Sequence, residues 1–570
     1  MKKNISIFLF LFSSYLFFAQ NTITAKVEID KNKNLNISQN IDKKNEIFIF
    51  PNYISLDENS AKFLKEETAK LNSYVILNPD IKYAVNNEKL NGKLLKNEDF
   101  FIITSRYLGL NKKDFLKEKR FNIQFSSDDK NPIIFPTEED LKKKFITSPI
   151  IVAGNFKSIE SNGFKIYYLA QESDILDEIK RASEGMEKSY DFYSQYFGKK
   201  DKPKIVFAPI QGPSENNENI IFYNSKTFKE GLRTTISHEI GHLWFGGDGI
   251  IFQENALTEG ITEFIALEYL TSRYGEKKFE ELINYKFYLT EGEKKFKNLS
   301  NINLDKKEQS NLSYNLLPLY LYTKQKSGEN ILKQLSEFYK YKEDKRTTNL
   351  DEFNFFLQSR GYKELFTEDI PEFFVGKCNI SDVCVYATSN NNYNLEIECL
   401  SNDNQKSRKT LSINKANNPQ ILEIQNYKKI TIDPDFKIQQ VSRLNDIWNK
   451  NEDNVFDKNR YFGINSVKAE IATISNELAN YFTNPINSYI FKNLIIDNSQ
   501  TQQFERLKNK YSNSKNGFLT GASTSFNNKN NSAFLNFAFY DKLKKEINVL
   551  KLTLKLSNDN TKLESLKTFE

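Results

Sequence analysis

The 570-residue chain has little surplus of charge of either sign, with 80 Lys and Arg residues against 74 Asp and Glu and a formal net charge of +6. Proteins that bind nucleic acids or anionic membranes electrostatically carry a clear basic patch, and none interleaved with aromatic residues is found here. Runs rich in asparagine and lysine, such as residues 525–531, are typical of solvated loops. The composition therefore predicts no nucleic-acid partner.

Cysteine is scarce, and the three residues present, Cys378, Cys384 and Cys399, form no CxxC pair. A zinc site built from cysteines is therefore disfavoured. Two of the three could form a disulfide in an exported protein, and Cys378 with Cys384 would close the shortest loop. The spacing alone leaves the pairing open.

Long apolar runs are missing except at the start of the chain. Two lysines, an apolar run from Ile5 to Phe18 and then Ala19 and Gln20 have the three-part build of a secretory signal peptide over residues 1–20. Cleavage is favoured over an uncleaved anchor because polar sequence follows at once. We expect an exported protein, periplasmic or extracellular, with no integral membrane segment after signal cleavage.

Histidine is the scarcest chemically informative residue, and both copies lie in 238-HEIGHLWFGG-247. A helix from near Phe228 to Phe245, ended by the Gly246-Gly247 pair, would place His238 and His242 one turn apart on one face. Two imidazoles so placed can share one metal ion, and Glu239 can reach a water beside it. Chance placement of the only two histidines in this pattern is a poor explanation.

A third protein ligand is expected from the segment 257-LTEGITEFIALEYL-270. Ile261, Phe264, Ile265 and Leu267 form an apolar stripe that predicts a helix ending at Gly275. Glu259 and Glu263 lie one turn apart on it. Two histidines and one carboxylate are a common ligand set for catalytic zinc.

These residues resemble the zinc aminopeptidases of the aminopeptidase N family, which belongs to the gluzincins. The family has HExxH followed by WFG and then an NEGF-like segment, and this chain has HEIGHLWFGG and LTEGITEF. The resemblance implies one Zn²⁺ per chain held by His238, His242 and Glu259, with Glu239 as general base. The chain departs from the family at Thr258, where asparagine is usual, and in having sixteen residues instead of eighteen between the second histidine and the glutamate.

The same resemblance implies two substrate-binding residues, and the position of Glu263 one turn after Glu259 suggests one supporting residue. Gly212 and Glu215 in GPSEN resemble the family segment whose glutamate binds the substrate's free α-amino group, although GPSEN is equally typical of a turn. Glu263 could hydrogen-bond a ligand histidine, and a solvated surface glutamate is an equal alternative.

A tyrosine that stabilises the oxyanion completes the family's catalytic set. Tyr314 is the best match, since it precedes a helix that Pro318 could open at its first turn. Tyr320 and Tyr322 are the alternatives, because the chain lacks the family's Tyr-x-Lys-Gly pattern at this point.

The pattern along the chain predicts an α+β multidomain protein. Short strands dominate before residue 157, in runs at 46–51, 73–77, 100–104 and 150–156. Apolar residues spaced by three or four from Leu176 to Phe197 predict a helix closed by Gly198, and after two strands at 203–210 and 220–223 the pattern is helical nearly to residue 377. Strands return after it, with a late pair at 534–540 and 546–556. With the family resemblance, the predicted organisation is a signal peptide, an N-terminal β-sheet domain, a thermolysin-like mixed α/β zinc peptidase domain, a small β-sandwich and a C-terminal α/β region of unassigned role, over residues 1–20, 21–157, 158–377, 378–444 and 445–570.

The resemblance implies an exported zinc aminopeptidase that hydrolyses N-terminal peptide bonds of peptide substrates with a zinc-activated water. A gluzincin endopeptidase or a relative of the glycyl aminopeptidases is the first alternative. A non-catalytic peptide-binding protein on a peptidase scaffold is the second.

Overall fold

The chain divides into two compact units in a computed structural model. One unit comprises Met1–Thr258 and Ser336–Leu350, and the other comprises Glu259–Leu335 and Asp351–Glu570. The residues that the structure describes are 22–29, 35–41, 55–56, 71–77, 100–104, 120–127, 133–135, 137, 140, 150–169, 175–208, 215–217, 220–225, 232–247, 249–296, 299, 306–342, 347–367, 369–378, 382–423, 426–450, 459–462, 469–483, 494–511, 517–527, 531–541, 543–560 and 562–569.

One mixed sheet and one antiparallel sheet come first in the chain. Their strands are β1 Thr22–Ile29, β2 Leu35–Ile41, β3 Ser55–Leu56, β4 Leu71–Leu77, β5 Phe100–Thr104, β6 Arg120–Ser127, β7 Ile133–Phe135 and β8 Ile150–Gly154. The orders are β3-β4-β2-β1-β6 and β5-β8-β7. The strands predicted at 73–77 and 100–104 are confirmed, and the one predicted at 150–156 is a strand as far as Gly154. The predicted strand at 46–51 and the proposed signal peptide at 1–20 lie outside the described residues.

A second mixed sheet positions the histidine-bearing segment. Its strands are β9 Phe156–Ser161, β10 Phe164–Leu169, β11 Lys204–Ala208, β12 Glu215–Asn217 and β13 Ile220–Asn224, in the order β12-β13-β11-β10-β9. Strands β10, β11 and β13 are parallel, while β9 and β12 run antiparallel to their neighbours. Every residue of β13 is buried, as is typical of a strand covered on both faces.

Helices dominate the middle of the chain. They are α1 Leu176–Phe197, α2 Leu232–Gly241, α3 Asn255–Tyr274, α4 Glu276–Thr290, α5 Lys306–Asn311, α6 Leu317–Lys326, α7 Ile331–Tyr341 and α8 Leu350–Ser359, with a π-helical turn at Leu312–Leu316 between α5 and α6. Two short strands, β14 Ile251–Phe252 and β15 Thr347–Thr348, pair in parallel.

Two of these helices follow the predicted apolar periodicity closely. The stripe of α1 from Ile179 to Phe197 is buried, and the helix ends at Gly198, whose φ is +84°. The four apolar residues of the α3 stripe are all buried. Apolar residues three and four apart share one face of a helix, so burial of that face stabilises each of the two helices.

The predicted extent of the helix that carries the two histidines is wrong at its C-terminal end. Helix α2 ends at Gly241 instead of Phe245, and the chain then turns through residues 242–244. The backbone N–H of His242 still donates to the carbonyl of His238 at 3.3 Å, so the two histidines keep the helical spacing. The next two backbone N–H groups donate to carbonyls three residues back instead of four, Leu243 to Ile240 and Trp244 to Gly241.

The strands after residue 372 form two sheets that share one apolar core. Strands β16 Phe373–Lys377, β17 Asp382–Ala387 and β20 Gln420–Glu423 make one sheet, and β19 Lys406–Ile413, β18 Tyr393–Ser401, β21 Tyr427–Ile432 and β22 Ile447–Asn449 make the other. Val383, Leu395 and Ile397 are among the buried residues between them. Cys378 and Cys384 are joined by a disulfide, and Cys399 is a buried free thiol.

The last part of the described chain is a sheet covered by two helices. Strands β23 Asn459–Phe462, β24 Gly517–Asn527, β25 Ser532–Asp541, β26 Glu546–Leu556 and β27 Leu563–Phe569 follow one another in that order, and helices α9 Ala469–Thr483 and α10 Asn498–Tyr511 supply side chains to the same core. The predicted strands at 534–540 and 546–556 are confirmed.

The molecule is therefore a mixed α/β, multidomain protein with several separate sheets. The predicted boundaries at 157, 377 and 444 and the thermolysin-like arrangement stay predictions. Among the described residues, no helix combines the length and apolarity needed to span a lipid bilayer.

Candidate metal centre

The end of helix α2 carries three side chains of the HEIGH motif in a buried setting. His238, Glu239 and His242 are each less than a tenth exposed. The Nε2 atoms of the two histidines lie 3.1 Å apart, and their rings are nearly perpendicular at 87°. Helical spacing thus brings two imidazole nitrogens to a single point.

A backbone carbonyl fixes the orientation of one of these rings. The Nδ1 atom of His242 lies 2.8 Å from the carbonyl oxygen of Phe245. Because a carbonyl only accepts hydrogen bonds, this contact favours a proton on Nδ1 and leaves Nε2 as the unprotonated nitrogen. Ligand histidines are commonly oriented in this way.

The conformation of the WFGG segment holds the Phe245 carbonyl against the His242 ring. Trp244 is fully buried and its indole N–H donates to the Gly198 carbonyl at 3.0 Å, which anchors the turn to the end of α1. Gly246 has a φ of +105°, and a Cβ there would lie 2.4 Å from His242 Nδ1. The glycine is therefore required both by the backbone and by the space that the imidazole occupies.

Glu259, in the second turn of helix α3, completes the ligand group. One ligand atom from each of His238, His242 and Glu259 lies within 4.8 Å of the other two. Two nitrogens bound to a tetrahedral zinc at about 2.0 Å are roughly 3.3 Å apart, close to the 3.1 Å observed between the imidazoles. The donor set and its spacing therefore fit a zinc ion.

Glu263 lies one turn beyond Glu259 and takes part in a buried ion pair. Its Oε1 accepts a hydrogen bond from Lys286 Nζ of helix α4 at 2.7 Å, and the two side chains are 12% and 7% exposed. The predicted hydrogen bond from Glu263 to a ligand histidine stays a prediction. The alternative of a solvated surface carboxylate does not describe its observed position.

Tyr314 lies in the π-helical turn and is 39% exposed. Its hydroxyl donates to Glu259 Oε2 at 2.9 Å, which places the phenol against a candidate metal ligand. The alternative tyrosines are buried in helix α6, where Tyr320 accepts a hydrogen bond from Phe366 N–H at 3.4 Å. Burial raises the pKa of Tyr322 well above its usual range.

The GPSEN segment is described only in part. Gly212 lies outside the described residues, and Glu215 is the first residue of β12, the edge strand that pairs antiparallel with β13. Some Cα atoms of β12 come within 8 Å of Cα atoms of α2, so the segment runs close to the histidine-bearing helix. The assignments of Gly212 and Glu215 as substrate-binding residues stay predictions.

Glu239 also influences its surroundings within the first unit. Tyr223, at the end of β13, is fully buried, and burial followed by the nearby Glu239 carboxylate raises its pKa well above the usual value. Tyr223 is therefore a neutral hydrogen-bond donor at all ordinary pH values, and its hydroxyl lies 3.4 Å from the Ile236 carbonyl.

The contacts of Lys286 and of the Phe245 carbonyl were not predicted from the sequence. Lys286 falls on the buried stripe of α4 with Ile283 and Phe287, and a lysine on an apolar face is the signal that could have found it. A carbonyl acting on a histidine has no sequence signature, because every residue carries one.

The mixed α/β fold is similar to that of one solved aminopeptidase. The crystal structure of Legionella pneumophila aminopeptidase A in complex with aspartic acid matches it with a TM-score of 0.50 at 14% sequence identity, covering 87% of this chain and 66% of that chain. This chain thus matches slightly under two thirds of that protein's length, and the likeness concerns the fold. No protein-family model and no curated protein sequence matches the chain.

Proposed function

We propose that the protein is an exported zinc aminopeptidase similar to the aminopeptidase N family. The observation that carries the proposal is the convergence of His238, His242 and Glu259 within 4.8 Å, on the HExxH motif and the helix that follows it. Structural zinc sites usually have four protein ligands, whereas three ligands are typical of catalytic zinc.

The zinc, when bound, supplies Lewis acidity that polarises the scissile carbonyl and acidifies water. Glu239 accepts the proton of the attacking water and delivers it to the leaving amine. Tyr314 donates its hydroxyl proton in a hydrogen bond to the carbonyl oxygen as negative charge develops there. Its present bond to Glu259 keeps the phenol close to that role.

Selectivity for N-terminal residues requires a group that holds the substrate's ammonium. We assign this role to Glu215, because a carboxylate pairs with an ammonium group in a charge-assisted hydrogen bond. The edge strand β12 that carries Glu215 also suits an extended peptide, since backbone groups on a sheet edge can pair with an added strand.

Metal analysis together with a panel of free and N-acetylated peptides tests the proposal. One zinc per chain and cleavage of free N-termini only would support an aminopeptidase. Equal cleavage of blocked peptides would favour the gluzincin endopeptidase alternative. Protein that holds no zinc and cleaves neither peptide set would favour the binding-protein alternative and overturn the proposal.

Export is part of the same proposal. The signal-like residues 1–20 and the disulfide between Cys378 and Cys384 support it, because disulfides persist mainly in oxidising compartments. Fractionation of cells that express the full chain, with N-terminal sequencing of the exported product, tests it. Retention of the uncleaved chain in the cytoplasm would contradict it.

A further inference from the structure

A buried lysine connects the zinc-ligand helix to the segment that carries Tyr314. Lys286 Nζ donates to Glu263 Oε1 at 2.7 Å and to the Tyr314 carbonyl oxygen at 2.6 Å. The lysine is only 5% exposed, so both bonds form away from bulk water. Charge-assisted hydrogen bonds in such surroundings are short and strong.

Pro318 explains why the Tyr314 carbonyl takes a side-chain donor. In an α-helix this carbonyl would accept from the N–H of the residue four positions on, which is Pro318, and proline has no N–H. The chain forms a π-helical turn over Leu312–Leu316 at this point. A lysine that donates to the same oxygen supplies the hydrogen bond that the proline cannot.

The two bonds of Lys286 link residues that lie on one side of the candidate centre. Glu263 is one turn after the ligand Glu259 on α3, and Tyr314 donates to Glu259 Oε2 at 2.9 Å. The connection therefore runs from Glu259 through Tyr314 and Lys286 to Glu263 and back along one helix. Such a closed ring of contacts fixes where the phenol lies relative to the ligand carboxylate.

We infer that Lys286, held by Glu263, is a positioning residue that sets the Tyr314 phenol for its role at the carbonyl oxygen. This inference rests on the proposed function, because it deepens the assignment of Tyr314. Lys286 touches neither substrate nor metal in this scheme. Its removal leaves the metal ligands intact and releases the turn that carries Tyr314.

A double-mutant cycle of Lys286→Met and Tyr314→Phe tests this connection. Each single variant is expected to lower kcat by about 10- to 100-fold with KM within about twofold, and the double variant to be no slower than Tyr314→Phe alone. Independent, multiplying effects would overturn the inference. Glu263→Gln, which keeps the shape of the side chain, should reproduce a smaller part of the Lys286→Met effect, and a kcat equal to that of the wild type would contradict the role of the ion pair.

A second readout does not depend on activity. We would place 3-fluorotyrosine at position 314 and record its ¹⁹F resonance in the metal-free full chain. Lys286→Met should broaden or shift the resonance, whereas Lys277→Met, at an exposed lysine of the same helix, should leave it unchanged. A resonance unchanged by Lys286→Met in protein that is folded by circular dichroism would overturn the inference, and so would rescue of neither readout by Lys286→Arg.

Failure of the proposed function has a different signature. If the wild type cleaves no peptide, or if Tyr314→Phe retains full kcat, the proposed function or the role of Tyr314 is wrong, whatever the ¹⁹F spectrum shows. If Tyr314→Phe is slow but Lys286→Met is not, only the inference about Lys286 is wrong.

Discussion

Glu239 is the residue on which the proposed chemistry depends most directly. Glu239→Gln removes the proton acceptor but keeps the size of the side chain, so kcat should fall by about 100-fold or more. Zinc content, measured by mass spectrometry of the purified protein, should stay at the wild-type level because both histidines and Glu259 are unchanged. Full activity in this variant would mean that another group acts as the base.

Gly246 is the second residue at which a substitution should have a clear effect. Alanine there would bring its Cβ to 2.4 Å from His242 Nδ1 and turn the imidazole away from the Phe245 carbonyl. We expect zinc affinity, measured by competition with a chelator, to weaken by about 10- to 100-fold.

Gly328 offers the matched control for this substitution. Its φ of +100° is nearly the same, and a Cβ there meets nothing within 4 Å. Gly328→Ala therefore reports backbone strain alone, and equal zinc affinity in the two variants would show that the contact with the imidazole is unimportant.

Helix α3 packs closely against the π-helical turn and the start of α6 at Gly260. A Cβ at Gly260 would lie 2.7 Å from the Leu317 Cβ and 3.3 Å from the Ser313 carbonyl oxygen. Glycine to alanine inside a helix normally stabilises by about 1 kcal/mol. Overpacking costs about 1–3 kcal/mol, so Gly260→Ala should lower the free energy of unfolding and reduce kcat by displacing Tyr314.

Denaturant unfolding and steady-state kinetics check the Gly260 prediction. Gly376→Ala is the control, because a Cβ there has no neighbour within 4 Å. If Gly260→Ala unfolds at a higher denaturant concentration than the wild type, the two elements are packed less tightly than the structure indicates.

The elements nearest the site were predictable where one local pattern determined them. The apolar stripe of α3 located Glu259 because burial and the 3.6-residue period act together. The end of α2 was misplaced because the helix ends at Gly241, and the turn over residues 242–244 separates it from Gly246. The contacts among Lys286, Glu263 and Tyr314 could not be predicted, since they join three elements through long-range packing that leaves no periodicity.

A buried group of charged residues in the second unit should make the stability of the protein depend on pH. Glu291 accepts from the backbone N–H of Arg443 at 2.9 Å, and Glu372 accepts from the Ser442 N–H at 2.7 Å. Burial raises the pKa of Glu291 to about 7 and raises that of Glu372 well above its usual range. Arg443 is paired with Asp433 and Asp446.

The sign of the pH effect follows from the raised pKa of Glu291. The folded state holds a proton that the unfolded state releases, so this stabilisation is complete below about pH 4.5 and is lost as the pH rises through about 7. The change is on the order of 3 kcal/mol. Chemical unfolding of the wild type and Glu291→Gln between pH 5 and 8 should show the wild type losing stability relative to the variant, and parallel curves would contradict this assignment.

Helix α4 also carries Tyr288, two residues after Lys286. The Tyr288 hydroxyl accepts from Ser525 at 3.1 Å and donates to the Phe534 carbonyl at 3.3 Å, and these partners follow it by 237 and 246 residues in the chain. During synthesis, these two hydrogen bonds of the helix that supports Tyr314 can form only after the strands that carry Ser525 and Phe534 have been made. A nascent chain that already contains the complete HEIGH and LTEGITEF segments lacks these two contacts, so we expect the proposed activity to mature only once the sheet of β24 and β25 has formed.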